Sequence, residues 1–232
     1  MKFRAIVVDV PWGFSDKLKM SDVKRGSASV YKTMTVEQIK LMSVEELAED
    51  DSVLCLWVPS SLLQTGLDVM NIWGFRQTQT WVWVKMKKDP FGEVLKELLK
   101  GIPPQDLLLS NILQFVKKTI EKFDIHDVLS FGMGRLGRNV HEICLVGVKG
   151  SPYKHLKNKS QRTVFFAPNE KHSKKPEILQ DRLEIMFGEE ESYLEIFGRR
   201  ERKNWTVIGN ECPSTMGQDV FDSIEKLKGK NV

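Results

Sequence analysis

Asp9, Val10, Pro11 and Trp12 follow directly on an apolar run, Ala5 to Val8, and bring three kinds of chemistry together in four residues. A carboxylate accepts hydrogen bonds and tolerates a nearby positive charge. A carbonyl just ahead of a proline is held extended, and an indole presents a wide aromatic face. At the mouth of a buried strand, that set suits an amino group carried on a flat nucleobase. Glu195-Ile196-Phe197-Gly198-Arg199 ends another apolar run in a glycine and a basic turn, where open α/β sheets take their ligands. Lys171-His172-Ser173-Lys174-Lys175-Pro176 is a basic turn ahead of a helix, a setting that favours a carboxylate or phosphate. Gly132-Met133-Gly134-Arg135-Leu136-Gly137 has the spacing of the dinucleotide fingerprint, but Arg138-Asn139 leads into a strand and the region around Lys157 holds no acid. Those glycines read instead as a loop that lets a substrate approach the backbone.

The elements that must position these groups follow from hydrophobic patterning. Phe3 to Asp9 reads as a buried parallel strand because Ile6, Val7 and Val8 form a continuous β-branched run. Trp12 to Tyr31 is polar and aperiodic, a loop that could serve as a lid. Thr35 with Gln38 makes a capping box for a helix whose apolar face runs Ile39, Met42, Leu47 and Ala48. Ser52–Val58, a helix from Ser61 to Trp73 ended at Gly74, and Thr78–Val84 continue a strand-helix rhythm. Between Lys87 and Phe131 the pattern becomes an inserted helical hairpin, with Leu109, Ile112, Leu113, Val116, Ile120 and Phe123 as a stripe expected to pack on the domain. Strands at His141–Val148 and Thr163–Phe166 follow, then a helix opened by Pro176 as a first-turn proline and ended at Gly188. Tyr193–Phe197 and Trp205–Ile208 close the sheet, and the tail from Met216 carries a weak helix expected to fray.

The 232 residues fit one α/β domain, residues 1–232, with the insertion at 87–131. A net charge of +4 permits a nucleic-acid partner without demanding one, and the cations from Lys149 to Lys203 are either a solvated face or a strand-binding track. Cys55, Cys144 and Cys212 are far apart and match no zinc pattern, so a reducing cytoplasm and no metal are expected. No apolar run reaches the roughly 20 residues of a membrane span. The motifs of serine hydrolases, zincins and P-loop enzymes are absent from the sequence.

Taken in order, the motifs resemble the MT-A70 family of mRNA adenosine-methyltransferase-like enzymes, which use S-adenosylmethionine to methylate adenine at N(6). The resemblance runs through Asp9-Val10-Pro11-Trp12, Tyr31-Lys32-Thr33-Met34, Leu56-Trp57-Val58, Trp73-Gly74-Phe75 and Trp83-Val84-Lys85. It continues through Gly137-Arg138-Asn139, Glu142, Leu145 to Gly150, His172-Ser173 with Lys175-Pro176, Glu195 to Arg199, Asn204-Trp205 and Gly209-Asn210-Glu211. It implies a Rossmann-like methyltransferase sheet in permuted order, with the catalytic tetrapeptide early and the cofactor strand late. It further implies that Asp9 and the Val10 carbonyl accept the two amine hydrogens of adenine and that Trp12 stacks on its ring. Asp9, Lys175, Phe197, Gly198, Arg199, Asn210 and Glu211 match cofactor positions. Tyr31, Arg138, Asn139, Glu142, Lys149 and His172 match positions near the base or its strand.

Such a reaction needs neither metal nor covalent nucleophile, in keeping with the absent motifs. Acceptors that hold the weakly nucleophilic amine and tolerate its developing charge favour the transition state, and positioning alone supplies roughly 7 to 11 kcal/mol. Most family members carry proline at both middle positions of the tetrapeptide, whereas Val10 stands first here. The short chain, without the long extra regions of the eukaryotic RNA enzymes, leads to DNA as the expected substrate, in a bacterial cell or phage-infected host. RNA is the alternative, as is a non-catalytic nucleic-acid-binding subunit, and self-association or pairing with another chain stays open.

Overall fold

All six residues of β1 (Phe3–Val8) are buried, which is why the run carries no alternation: its side chains are covered on both faces of a sheet. A computed structural model describes residues 1–13, 33–90, 92, 94–96, 109–122, 124–132, 136–169 and 174–229. After β1 come α1 (Val36–Lys40), β2 (Ala48–Val58), α2 (Leu63–Ile72), β3 (Arg76–Met86), α3 (Leu109–Lys122), β4 (His141–Lys149) and β5 (Val164–Pro168). The chain closes with α4 (Ile178–Phe187), β6 (Tyr193–Ile196), β7 (Trp205–Ile208) and α5 (Val220–Gly229). The seven strands lie in the order β5-β3-β4-β2-β1-β6-β7, a Rossmann-like α/β sheet in permuted order.

Parallel pairing of β1 with both β2 and β6, and of β6 with β7, sets Val8 level with Leu56 and Ile196, and Ile196 level with Ile208. The residues that follow, Asp9, Phe197 and Gly209, therefore leave the sheet at one edge. The chain goes from β1 to β2 on one side and reaches β6 on the other, so this edge holds a topological switch point, where open α/β sheets bind ligands. β4 runs antiparallel to β2, with Ser52 opposite Lys149 and Val58 opposite Ile143.

The chain divides into two compact units. The first comprises Met1–Val82, Glu142–Val164 and Glu177–Val232. Its core joins Ile6, Val8, Leu54, Leu56, Leu194 and Ile196 of the sheet to Ile39, Met42 and Met70. Burial of such side chains stabilises by roughly 1.5–3 kcal/mol each. The second comprises Trp83–His141 and Phe165–Pro176. There the Trp83 indole N–H donates to the Ala167 carbonyl at 3.0 Å, and Asp124 caps a 3₁₀ turn, Ile125–Val128. The second arm of the expected helical hairpin is α3. Its Leu113 is 59% exposed, so this member of the stripe does not pack into a core.

Three sequence expectations are corrected. The Thr35–Gln38 capping box is present, but the helix stops after five residues. Successive amides then bond ever closer partners, Leu41 to Glu37, Met42 to Ile39 and Val44 to Met42, tightening into a 3₁₀ turn that brings Val44 and Leu47 into the core ahead of β2. Pro176 is not the first helical residue, since α4 begins at Ile178 after Glu177, whose carboxylate is engaged by Arg200 and Arg202. The tail helix α5 is anchored: Ile224 and Leu227 are buried, and the Met1 ammonium donates to the Leu227 carbonyl at 2.9 Å.

Candidate functional site

Asp9 continues the β1–β6 ladder by one step, its N–H donating to the Ile196 carbonyl at 3.3 Å, and its side chain is half-buried. Beyond it the chain folds tightly around Pro11: the Trp12 N–H donates to the Val10 carbonyl at 2.8 Å, the three-residue turn that a proline's fixed φ allows. The turn is braced from one side by a short parallel bridge between Trp12 and Met34. Met34 N–H donates to the Pro11 carbonyl at 2.9 Å, and Gly13 N–H donates to the Met34 carbonyl at 3.2 Å. From the other side it is anchored in the core, with Val10 3% and Trp12 4% exposed. The Trp12 indole N–H donates to the Trp57 carbonyl at 2.9 Å.

Next along the edge, Phe197 takes a left-handed backbone with φ of 66°, rare for a bulky residue and a local strain of order 1–3 kcal/mol. The strain lets the chain turn off β6 while Gly198 N–H donates to the Ile208 carbonyl at 3.1 Å. Gly209 packs against this turn so closely that an added Cβ would stand 2.5 Å from the Gly198 carbonyl oxygen. The Thr215 hydroxyl holds Gly209 in place, accepting from its N–H at 3.0 Å and donating to its carbonyl at 2.8 Å. Arg199 pairs with Glu211 at 3.4 Å, and Asn210 is exposed between the two turns. The sequence thus brings Asp9, Val10, Pro11, Trp12, Phe197, Gly198, Arg199, Asn210 and Glu211 to one sheet edge, although about 200 residues separate the first from the last.

Glu195, to which the sequence reading gave no role, lies on β6 beneath this edge, its carboxyl carbon 3.2 Å from where a Gly198 methyl would be. Burial pushes its carboxyl above the ordinary range, and the charges of Asp9 and Glu177 add to that. A hydrogen bond from Gln180 and the charge of Arg200 act the other way. Gln180 itself is buried with its Oε1 unpartnered. The signal was legible: an acid inside an otherwise apolar strand.

Behind the edge, Arg202 joins Glu177, just ahead of α4, and Asp181 and Glu184 on it at 2.6–2.9 Å. The Trp205 indole shares Glu184 at 2.6 Å and stacks on Tyr193 with ring centroids 4.8 Å apart. Hydrogen bonding to Arg202 pulls the Glu184 carboxyl below its usual range. This network ties the segment between β6 and β7 to α4.

Glu142 sits on β4 at the carboxyl end of β2, the same edge as Asp9. Lys149 does not: β4 is antiparallel to β2, so its far end lies at the opposite edge, where the Lys149 ammonium donates to the Glu45 carbonyl at 3.2 Å. Four residues beyond Leu145 amount to roughly 13 Å along a strand, and Lys149 is removed from the expected site. Lys175, half-buried, belongs to the second unit. So do Arg138, whose guanidinium lies 5.6 Å from the Phe131 ring centre, and Asn139, bridged to Gly132. That bridge leads into β4, so no helix follows the glycine-rich segment. Tyr31 and His172 lie outside the described residues. Among the described residues no three His, Cys, Asp or Glu side chains gather as a metal site, and no helix is long and apolar enough to cross a membrane.

A permuted sheet with an acidic tetrapeptide and two glycine turns at its switch point is consistent with a Rossmann-like methyltransferase fold. The family model MT-A70 matches residues 3–109 and 104–211. The chain belongs to the MT-A70 family. It is 25% identical over 215 residues to the human N(6)-adenosine-methyltransferase catalytic subunit METTL3, a match covering 90% of this chain and 28% of the human protein. The N(6)-adenosine-methyltransferase MT-A70-like protein of Drosophila melanogaster matches equally, 25% over 90% of this chain and 27% of its own length. The non-catalytic subunit MTB of Arabidopsis thaliana is 30% identical over 104 residues, 41% of this chain and 12% of that protein. The chain spans about a quarter of the length of the first two relatives.

Proposed function

We propose that this chain transfers a methyl group from S-adenosylmethionine to the exocyclic N(6) amine of adenine in RNA. The observation that carries the reading is the convergence of the Asp9–Trp12 turn with the Phe197–Gly198 and Gly209–Glu211 turns at one switch point. The edge suits such a cofactor: Gly198 and Gly209 leave backbone where a Cβ would intrude, Arg199, Asn210 and Glu211 offer polar groups for a nucleoside, and Gln180 Oε1 is a buried acceptor without a partner. The cofactor, when bound, supplies a methyl group on a sulfonium.

Asp9 does the chain's part at the amine. Its carboxylate accepts one amine hydrogen, and the Val10 carbonyl, which has a second lone pair beside the one taken by Trp12, accepts the other. Acceptors fixed in place before the reaction stabilise the positive charge that grows on the nitrogen. Burial disfavours the charged form of Glu195, the second carboxyl beside Asp9.

RNA replaces the DNA of the sequence expectation because the relatives are named for adenosine, a ribonucleoside. The match to a subunit named non-catalytic favours a second reading, a binding partner without turnover. Transfer of labelled methyl into single-stranded RNA, single-stranded DNA and duplex DNA separates them. Incorporation into RNA that Asp9→Ala abolishes is the expected result. Incorporation into DNA alone overturns the choice of RNA, and nucleic-acid binding without any incorporation supports the partner reading.

A further inference from the structure

We infer that Trp12 is a positioning residue: its buried indole N–H, held by the Trp57 carbonyl, aims the Asp9–Val10 acceptors, and its ring is no platform for the base. The inference rests on the methyl-transfer reading for what is aimed, and on the geometry alone for how. A stacking platform must expose a ring face, and Trp12 is 4% exposed within the same core as Ile39, Met42 and Val58. Its polar atom is already used, in a buried bond to Trp57, itself 2% exposed at the end of β2.

The coupling to the acceptors is covalent and short. The Trp12 N–H donates to the Val10 carbonyl, so any rotation of Trp12 about its backbone turns that carbonyl too. Val10 is buried in the same core, and Met34 braces Pro11 and Gly13. The turn is thus held at both ends by side chains in the core and at its middle by a backbone bridge. Pro11 and Asp9, both half-buried, are what it presents. An aromatic residue of any size satisfies a stacking role, whereas this bond needs an indole N–H at the distance tryptophan provides.

Trp12→Phe separates the two roles, because phenylalanine keeps a stacking ring and lacks the donor. Losing one buried bond predicts a kcat lower by about tenfold or more. KM for an adenine-containing oligoribonucleotide and Kd for S-adenosylhomocysteine should stay within about twofold, the signature of an interaction felt only in the transition state. A tenfold rise in KM at unchanged kcat, or unchanged kinetics throughout, overturns the inference. An NMR measurement on the wild type decides the matter if the variant fails to fold. The Trp12 indole N–H should exchange slowly with deuterated water and keep its chemical shift when the oligonucleotide saturates the protein. Fast exchange, or a large shift on binding, overturns the inference. A wild type that transfers no methyl refutes the functional reading instead, while the exchange measurement still judges the bond.

Discussion

Gly209→Ala is the sharpest test of how the two glycine turns are built. The added methyl would stand 2.5 Å from the Gly198 carbonyl oxygen and 3.0 Å from the Phe197 carbonyl carbon. The nearer contact falls about 1 Å short of ordinary van der Waals separation. Neither side can yield easily. Gly209 is fastened through its N–H and carbonyl to Thr215, and Gly198 is fastened to the Ile208 carbonyl. Overpacking costs roughly 1–3 kcal/mol, and a clash with backbone belongs at the upper end, about 3 kcal/mol. In a chain of this size that lowers Tm by roughly 6–12 °C. The displaced turn carries Phe197 and Gly198, so Kd for S-adenosylhomocysteine by calorimetry should weaken about tenfold, and turnover should fall further, since a 1 Å misplacement costs up to about a hundredfold. Gly229→Ala is the control, because its methyl meets nothing within 4 Å. A Gly209→Ala protein with wild-type Tm and wild-type Kd would refute the close approach of the two turns.

Replacing Arg202 with methionine removes the cation shared by Glu177, Asp181 and Glu184, while Arg200 keeps Glu177 and the Trp205 indole keeps Glu184, and thermal unfolding should report a loss of about 2 kcal/mol, roughly 4–8 °C in Tm; a smaller loss in high salt is expected because the like charges left behind are screened. Glu195→Gln should stabilise the protein more at pH 7.5 than at pH 4.5. The raised carboxyl of Glu195 favours folding fully below the ordinary carboxylate range and loses that contribution as pH rises through its folded value, so a pH-independent difference in Tm speaks against the burial effect. Lys149→Met should leave methyl transfer within about twofold of wild type, since Lys149 sits at the edge opposite Asp9; a large loss of turnover contradicts that placement.

The edge strand-ends were legible where the signal was local. β1 announced itself by an unbroken β-branched run, α1 by its capping box, and the carboxylate of Asp9 by its place just past a buried strand. What lay hidden depended on partners remote in sequence. The position of Lys149 hinges on β4 running antiparallel to β2, a direction that side-chain patterning does not encode. Burial of Trp12 comes from Trp57 and Met34, more than 20 residues away, and a tryptophan beside a carboxylate reads equally well as platform or anchor. The tail helix showed Val220, Ile224 and Leu227 at helical spacing, yet its lysine-rich end disguised a face that docks into the core. Glu195 stands near a strand end, where polar residues are common, and its neighbours Gln180 and Asp9 supply its meaning.

Cys55, Cys144 and Cys212, the three cysteines of the chain, are all buried and in no disulfide, and two of them lie inside central strands. Buried sulfur is out of reach of maleimides and disulfides. The native protein is therefore chemically silent toward thiol reagents while folded. A single cysteine introduced on an exposed site, such as Pro213 in the turn after Gly209, would carry a fluorophore with no background, and the native thiols would become a built-in gauge, reacting only as the sheet opens.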